Sequence, residues 1–361
     1  MTPFTGSYRA EDAVFLLKPM RLDMVDVETK EHLIQSGQRH YSELLAPEKI
    51  PDPHYLELFE ALTARYAPRL AAEIVSLAHY LSASRPAEIT LVSLARAGTP
   101  IGALLVRALR RLGRDDARHY SVSIIRDRGI DENALAFILR QERRQAAGVA
   151  FVDGWTAKGV IAEELRQALV HWNARQPERL EQSLHVVSDI GGAAEVAATF
   201  DDYAIPGGIL NATVSGLTSR SILNASIGPD DFHGCVFYGE FAPHDRSNWF
   251  LDQVTRYFGQ VEPGPVQTPS REQWLRRRAM NAFLNRLYLR YQVADRNFIK
   301  PGVAEATRVL LRRLPYLLLL RDPDGPDVEH LRVLASDKRI PVLVEAEMPI
   351  QAVALIKGVA R

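Results

Sequence analysis

The chain has 361 residues, of which 47% are hydrophobic and 24% charged, as in an ordinary soluble globular protein. Its 44 basic and 44 acidic residues cancel, which excludes a global field for nucleic acid or membranes, so any polyanion site must be local. The single cysteine, Cys235, excludes an internal disulfide. The N-terminus lacks a signal-peptide pattern, and no apolar run approaches the ~20 residues that span a bilayer. We therefore expect a cytoplasmic protein that makes no membrane contact.

Residues 1–85 are predicted to form an N-terminal helical cover. Apolar residues at three- and four-residue spacing indicate helices over 52–66 and 67–81, separated at Pro68. The segment 35–43 is polar and glycine-marked, which fits a loop over a site and fits a solvated connector equally well.

Residues 86–260 alternate apolar runs with helical patterns. Strands are expected over 89–95, 120–125, 149–152, 184–187 and 235–238, and helices over 101–112, 132–145, 158–173, 193–199 and 215–223. This order predicts an α/β fold with a parallel, Rossmann-type sheet between two helical layers. Ligands of such sheets bind at the carboxyl ends of the strands.

A second, smaller unit follows. The proline- and glycine-rich stretch 261–275 is predicted to be a linker, and residues 276–361 a small α/β/α domain. Its expected elements are helices over 303–314, 327–336 and 350–357 and strands over 316–320 and 342–344.

The strongest chemical signal is the loop after the apolar run 149–152. Asp153 ends the strand, and a helix opens near Lys158. The first amides of a helix lack partners and lie at the positive end of its dipole, so a phosphate there meets several donors. Gly159 allows a close approach, Thr156 and Lys158 add a hydroxyl and a positive charge, and Asp153 can accept hydrogen bonds from sugar hydroxyls.

The segment 149–161 resembles the motif of type I phosphoribosyltransferases that binds phosphoribosyl pyrophosphate (PRPP). Asp153 takes the first acidic position of that motif, Ala157 a small turn position and Gly159 the turn glycine. Two departures are Gly154 at the second acidic position and Lys158 in place of a threonine. An ordinary β–α turn is the alternative. The resemblance implies a phosphoribosyl site made of Asp153, Gly154, Trp155, Thr156, Ala157, Lys158 and Gly159, with Asp153, Arg96 and Lys158 as catalytic residues.

A second strand–turn–helix segment, 91–101, resembles the first loop of the same family, whose amides hold the pyrophosphate of PRPP. Arg96 would add charge there, and Ala97, Gly98 and Thr99 would supply backbone donors. Between the two loops lies a region that bears a mobile loop in the family. Its Arg126 and Arg128 would screen diphosphate charge, or belong to a solvated loop.

Later loops offer acceptor and metal candidates. Asp189, Gly191 and Gly192 end another predicted strand, and Ser215 and Thr218 are candidates to read an acceptor or to cap a helix. Mg²⁺ favours carboxylate oxygens and keeps its hydration. Asp189 or the pair Asp201 and Asp202 are therefore candidates to hold Mg²⁺ through water.

Most of residues 1–260 resembles one branch of the family, the phosphoribosyltransferase-like proteins encoded with bacterial tellurium-resistance and stress systems. The matching blocks are 6–8, 40–43, 96–100, 126–129, 153–156, 188–192 and 231–238. The resemblance implies a role in making or modifying a nucleoside-like or nucleotide-containing metabolite. Some members carry the label cysteine protease StiP, which here would require Cys235 with His233 as its base. A small buried apolar cysteine is the alternative.

Residues 276–361 resemble the pelota-type RNA-binding fold. The resemblance implies contacts to the phosphates of a structured RNA through Lys300, Gly302, Arg308 and Arg312. A domain that serves for homodimer formation or for packing within the chain is the alternative.

Three functions are therefore considered. The first is Mg²⁺-dependent transfer of a phosphoribosyl group from PRPP, or handling of another phosphoribosylated small molecule. The second is a non-catalytic sensor of PRPP or a nucleotide that regulates an RNA-bound assembly, supported by Gly154 in place of an acid. The third is a cysteine peptidase.

Overall fold

The N-terminal segment lies across one face of the molecule. The computed structural model describes residues 2–358; Met1 and residues 359–361, the ends of the first and last predicted domains, lie outside the described part. The segment consists of β1 (Val14–Leu16), β2 (Lys18–Pro19), α1 (Val27–Gln35) and α2 (Pro53–Ser84).

Helix α2 is one continuous helix of 32 residues, not the two that were predicted. It begins after Asp52, whose carboxylate accepts the amide of His54, and it runs through Pro68. A proline inside a helix removes a hydrogen bond and disfavours the preceding turn. Here the apolar face on both sides of Pro68, including Phe59 and Ile74, is buried in one core, which favours continuation of the helix.

The central domain is built on a mostly parallel sheet with helices on both faces, which confirms the predicted α/β class. The strand order is β1-β4-β3-β6-β7-β8, with β5 antiparallel on β4. One apolar cluster joins α2, α3 and α6 to the sheet, and a second joins α4 and α5 to the opposite face. The elements are β3 (Thr90–Ala95), α3 (Thr99–Arg111), β4 (Arg118–Ile125), β5 (Gly129–Ile130), α4 (Glu132–Ala136), β6 (Val149–Thr156), α5 (Val160–Arg175), β7 (Leu184–Asp189), β8 (Val196–Thr199), β9 (Gly234–Cys235) and α6 (Ser247–Thr255).

Three predicted elements of this domain were wrong. The stretch 193–199 is mainly strand β8, because its backbone pairs with β7 at the sheet edge. The stretch 215–223 is irregular, with Leu217 at a positive φ of 57° and isolated bridges from Thr218 and Ile222 to 237 and 234. The strand expected over 235–238 is reduced to β9, which pairs with β2.

The C-terminal domain carries a second sheet, with the order β10-β13-β11-β12. Residues 350–357, predicted as a helix, contain strand β13, whose five residues are all buried. A short apolar run has no periodicity that separates a buried strand from a helix. The elements are α7 (Arg271–Arg290), which begins inside the predicted linker, β10 (Ile299–Pro301), α8 (Val303–Arg312), β11 (Pro315–Leu320), α9 (Glu329–Asp337), β12 (Val342–Val344) and β13 (Ala352–Ile356).

The two domains are joined by buried hydrogen bonds. Asp202 of the core accepts the amides of Val303 and Gln351 at 2.8 Å each, and Asp327 accepts the hydroxyl of Tyr66 at 2.6 Å. The C-terminal domain is thereby held over the carboxyl ends of β6 and β7. None of the described helices, within residues 2–358, is both long and apolar enough to cross a membrane.

Candidate functional site

The two glycine loops lie side by side at the carboxyl edge of the sheet. Strands β3 and β6, which precede them, are paired neighbours. A Cβ on Gly98 would lie 2.7 Å from the carbonyl oxygen of Val152, and one on Gly154 would lie 3.4 Å from that of Ala97. Strand β6 extends through Thr156 and not only to residue 153 as predicted, because its last residues pair with β7. The segments 96–99 and 153–159, which we call the two loops, are in contact through their backbones, and residue 98 must be glycine at this spacing.

Asp153 and Lys158 both have pKa values displaced toward neutrality. Burial raises the pKa of Asp153 to about 7, although the carboxylate accepts the amide of Gly154 at 2.8 Å. Burial and the neighbouring Lys300 lower the pKa of Lys158 to about 8. The Lys158 ammonium donates to the carbonyl of Arg296 at 3.1 Å. Both groups can change charge near neutral pH when a ligand removes the remaining water.

A tight glycine turn leads from β6 into the N-terminus of α5. Gly159 caps the helix with a φ of 75°, in the left-handed region. Ala193 packs against it, since a Cβ on Gly159 would lie 2.6 Å from that of Ala193. The first amides of α5 have no intrahelical partners. Thr156 and Ala157, which precede the turn, are buried.

Arg96 is directed into the protein. Its side chain is 2% exposed and forms an ion pair with Glu48 at 2.5 Å. A second guanidinium nitrogen donates to the carbonyl of Thr218 at 2.5 Å, while Nε has no partner among the described residues. The Thr99 hydroxyl is also buried, and its oxygen lies in a hydrogen bond 2.7 Å from the hydroxyl oxygen of Ser121.

The predicted mobile region is held by the N-terminal segment. The amide of Arg126 donates to the hydroxyl of Tyr41 at 2.7 Å, and its guanidinium lies 5.5 Å from that ring. Arg128 pairs with Glu43 at 2.6 Å. Residues 41 and 43 of the segment 35–43 thus contact the region of Arg126 and Arg128.

The turn at 189–192, predicted to contact the acceptor, packs against the segment 153–159, which was predicted to bind the phosphoribosyl group. A Cβ on Gly191 would overlap the carbonyl oxygen of Ala157, at 1.6 Å, and Gly192 has a φ of 69° against α7. Asp189 uses both carboxylate oxygens on the amides of residues 193 and 194, at 2.9 Å. Ser215 is buried, and its carbonyl accepts the Thr218 hydroxyl at 3.0 Å.

The carboxylates predicted to hold Mg²⁺ do not form a metal site. Asp189 and Asp202 each use both oxygens on backbone amides, and Asp201 pairs with Arg69 at 2.8 Å. Over residues 2–358, no three His, Cys, Asp or Glu side chains converge in a way that could hold a metal ion. These residues therefore do not fit a protein-bound Mg²⁺.

The residues predicted to contact RNA lie at the seam between the domains. The Arg308 guanidinium lies 4.9 Å from the ring of Trp155, and Arg312 donates to the side-chain oxygen of Asn211. Burial lowers the pKa of Lys300. Gly302, with a φ of 94°, packs against Ile190, because a Cβ there would lie 2.6 Å from the Ile190 side chain.

Several site residues were missed by sequence reasoning. Glu48 follows a proline in irregular chain, and Tyr238 stands in an apolar run, so neither carried a chemical signal. Arg220 was read as part of a helix start, but its guanidinium lies 5.3 Å from the Tyr41 ring. The full set missed is Lys30, Glu31, Glu48, Arg220, Tyr238 and Glu305, whereas Arg313 was predicted together with Arg312 as a charge that contacts RNA.

Cys235 and His233 do not form a catalytic pair. Cys235 is completely buried, and burial raises the pKa of its thiol to about 12. The His233 ring is hydrogen-bonded to Ser123 at 2.8 Å, and its backbone amide donates to Asp131 at 2.6 Å. No hydrogen bond among residues 2–358 joins His233 to the Cys235 thiol. The thiol lacks the base and the low pKa that a nucleophile needs.

Two surface clefts lie outside the candidate site. Two surface clefts, with volumes of about 290 and 200 Å³, lie along α7 and beside Asp201. Neither is lined by residues of the loops 96–99 or 153–159. The site beneath α8 is therefore separate from both clefts.

Comparisons with known proteins identify both parts of the chain. The family model described as tellurite-like stress resistance cysteine protease StiP matches residues 6–255, and the model described as PELOTA RNA binding domain matches residues 278–358. The protein named cysteine protease StiP from Acinetobacter baylyi is 39% identical over 371 aligned residues, which cover 99% of this chain and 95% of that protein.

Similarity to solved structures is low. A hypoxanthine phosphoribosyltransferase from Trypanosoma cruzi, in complex with its product IMP, is 13% identical, with 51% of this chain and 87% of that one covered and a TM-score of 0.28. An archaeal alanine:glyoxylate aminotransferase is also 13% identical, with 91% and 89% covered and a TM-score of 0.21. Neither value carries an argument about function. The match over most of the chain does establish the family: the chain belongs to the tellurite-like stress resistance family described as cysteine protease StiP.

Proposed function

We propose that this protein binds PRPP or a closely related phosphoribosyl ligand and transfers its phosphoribosyl group to an acceptor, within a tellurite-type stress response. The observation that carries the proposal is the backbone contact between the loops 96–99 and 153–159 at the carboxyl edge of the sheet. One loop offers helix amides, Asp153 and Lys158, and the other offers Arg96. A phosphate, a ribose and a diphosphate are recognised by these groups.

The roles follow from the chemistry of each group. The amides that open α5 and Lys158 bind the 5-phosphate, and Asp153 accepts hydrogen bonds from the ribose hydroxyls. In the transfer step the bond between C1 and the diphosphate oxygen breaks, and its electron pair leaves with pyrophosphate. The acceptor supplies the electron pair of the new bond to C1 and loses a proton. Arg96 and the loop amides stabilise the charge that develops on the pyrophosphate.

Gly154, at a position that is acidic in the motif, supports a variant in which the ligand is sensed and not transferred. Release of pyrophosphate from PRPP in the presence of Mg²⁺ and candidate acceptors separates the two. Saturable binding without release, across an acceptor panel of nucleobases and nucleosides, is the result expected of a sensor.

The test of the site is calorimetric titration of PRPP with MgCl₂ into wild type, Asp153→Asn and a matched control. Asp115→Asn is that control, because Asp115 is exposed in the turn before β4, at the opposite end of the strands. We expect wild type and Asp115→Asn to bind alike and Asp153→Asn to bind at least about tenfold more weakly. Absence of binding to wild type, or equal binding to all three, contradicts the proposal.

A peptidase is the second candidate, because the relative that is 39% identical carries the name cysteine protease. In this chain it would have to use Cys235, the one cysteine. The buried thiol and the Ser123 bond of His233 count against it. Proteolysis of a casein substrate by wild type and its loss in Cys235→Ala would establish this candidate in place of the transferase.

RNA binding by the C-terminal domain is proposed only for its exposed surface. Lys300, Arg308 and Arg312 lie in the seam, whereas Arg277, Arg278 and Arg286 are exposed on α7. A structured RNA would meet this basic face, with salt-dependent affinity. Charge reversal at Arg277 and Arg278 should then reduce binding of a labelled RNA hairpin without changing PRPP binding.

A further inference from the structure

The seam between the domains holds more cations than carboxylates. We call the following six cationic residues the seam cluster: Arg96 and Arg220 from the core, and Lys300, Arg308, Arg312 and Arg313 from the C-terminal domain. Three glutamates face them. Glu48 pairs with Arg96 at 2.5 Å, Glu31 with Arg313 at 2.5 Å, and Glu305 with Arg308 at 3.3 Å. Half of the positive charge therefore has no carboxylate partner in the cluster.

Burial and the neighbouring cations both displace the pKa values of the cluster. Burial lowers the pKa of Arg312 well below its ordinary value, and the nearby guanidinium of Arg96 lowers it further. Burial also lowers the pKa of Arg220 to about 10, and Arg96 and Arg313 act in the same direction. Cations that repel each other in a dry site are stabilised by an anion between them.

Four buried hydrogen-bond donors without partners belong to the seam cluster or lie close to it. Tyr238 is 2% exposed, and its hydroxyl has no partner among residues 2–358. The charges of Glu48, Arg96, Arg312 and Arg220 all act on this hydroxyl. One nitrogen of each of Arg96, Arg220 and Arg312 is likewise buried without a partner. Buried polar groups in folded proteins are nearly always hydrogen-bonded, so four donors in one cluster indicate a missing acceptor.

We propose that the C-terminal domain completes the ligand site, and that a small phosphate-bearing anion is enclosed between α8 and the core, bound by Arg96, Arg220, Arg312 and the Tyr238 hydroxyl. This inference rests on the proposed function and extends it: the loop 153–159 takes the 5-phosphate end of the ligand, and the seam cluster takes its diphosphate end. The domain described by its family as RNA-binding thus supplies residues for a small-molecule site.

The geometry favours a small anion over a nucleic acid. The Arg312 guanidinium donates to Asn211 of the core, and the Lys30 ammonium donates to the Arg312 carbonyl at 3.3 Å. Asp202 and Asp327 hold the domains together on either side of α8. A duplex cannot enter this seam without separating the domains, whereas a diphosphate needs only a few polar partners at hydrogen-bond distance.

The experiment is calorimetric titration of sodium pyrophosphate, and separately of PRPP with MgCl₂, into four proteins. These are wild type, Arg312→Gln, Tyr238→Phe and the control Arg332→Gln. Arg332 carries the same charge in the same domain but lies at the surface, paired with Asp324 at 3.4 Å. We expect a loss of affinity for both ligands of at least about tenfold in Arg312→Gln and about fivefold in Tyr238→Phe, with Arg332→Gln within about twofold of wild type.

Tyr238→Phe removes one oxygen atom and keeps the packed ring, so it tests the site even if Arg312→Gln fails to fold. Wild-type affinity for pyrophosphate in Tyr238→Phe and in a folded Arg312→Gln overturns the inference. PRPP binding that depends on Asp153 but on neither of these residues also overturns it, while the proposed function stands. Pyrophosphate binding that depends on Arg312, with PRPP binding indifferent to Asp153→Asn, supports the seam site and contradicts the loop assignment.

A labelled RNA hairpin is titrated into the same four proteins as a third ligand. Weaker RNA binding by Arg312→Gln, with unchanged pyrophosphate binding, would assign the residue to RNA and overturn the inference. RNA binding that is equal in all four proteins, with pyrophosphate binding lost, supports it.

Discussion

Arg96 of the core and Arg312 of the C-terminal domain act on the same buried carboxylate, that of Glu48. Glu48 pairs directly with Arg96 at 2.5 Å. Burial alone would raise the pKa of Glu48, but Arg96 and Arg312 outweigh burial and lower it. Three segments that are distant in sequence thus form one charged unit, which links the segment 96–99 to the C-terminal domain.

Ligand binding should weaken above pH 8. Lys158, whose pKa burial lowers to about 8, is cationic below that pH and neutral above it. A bound phosphate favours the cation, so affinity for PRPP is full below pH 8 and falls as the pH rises through 8, by up to about tenfold per pH unit for one proton. Calorimetry between pH 7 and 9.5 measures this dependence. The charges that face Lys158 are those of Lys300, Glu305, Asp295 and Arg126.

Lys158→Arg is the matched variant for this pH dependence. Arginine stays charged throughout the range, so the decline in affinity should be flatter in Lys158→Arg than in wild type. Identical profiles in the two proteins would assign the pH dependence to another group, such as Lys30, whose pKa is also about 8.

Asp153→Asn should stabilise the protein without ligand at neutral pH. The folded pKa of Asp153, about 7, is raised above its ordinary value of 3.8. Such a group destabilises the folded state increasingly as the pH rises from 3.8 to 7, and fully above 7. At pH 7.5 we expect an increase in Tm on the order of 1–2 °C, which corresponds to about 1 kcal/mol for a chain of 361 residues. The increase in Tm should be smaller near pH 4, where Asp153 is protonated in the folded protein. Scanning calorimetry of both proteins at pH 7.5 and at pH 4 measures the difference.

Cys235 should be unreactive in the folded protein. The thiol is fully buried, and its pKa of about 12 leaves little thiolate. Alkylation by iodoacetamide at pH 8 should be at least about three orders of magnitude slower than in urea, on the thiolate fraction alone. Mass spectrometry over a time course measures both rates. Rapid labelling of the native protein would show an accessible thiolate and would support the peptidase function.

Gly302→Ala should weaken the docking of the two domains. The backbone at Gly302 has a φ of 94°, and an added Cβ would lie 2.6 Å from the side chain of Ile190. Strain and overpacking together should cost about 1–3 kcal/mol in the free energy of unfolding. Gly264→Ala is the control, because its Cβ would meet only the hydroxyl of Ser76, at 3.9 Å. Urea denaturation compares the two, and equal stability would contradict the packing described here.

Local features could be predicted from the sequence, and long-range ones could not. The β–α loops at 96–99 and 153–159 were located because strand, turn glycine and helix start are neighbours in the chain. The fold class followed from the repeated order of these units. The errors at 193–199 and 350–357 fell on short apolar stretches without a decisive periodicity, where pairing within a sheet determines the outcome. The polar stretch 215–223 is irregular and makes only isolated bridges to distant residues.

From the sequence we could predict two strand–turn–helix segments, 91–101 and 149–161, and a helix over 303–314 in the C-terminal domain. The position of that helix, α8, relative to the two segments is a property of the tertiary structure alone. Arg96, Arg220, Tyr238 and Arg312 come from four separate segments, and none of their spacings predicts a common site. They meet because α8 is docked on the carboxyl edge of the sheet by Asp202 and Asp327. Such docking depends on packing and buried hydrogen bonds between distant residues, which no local pattern encodes.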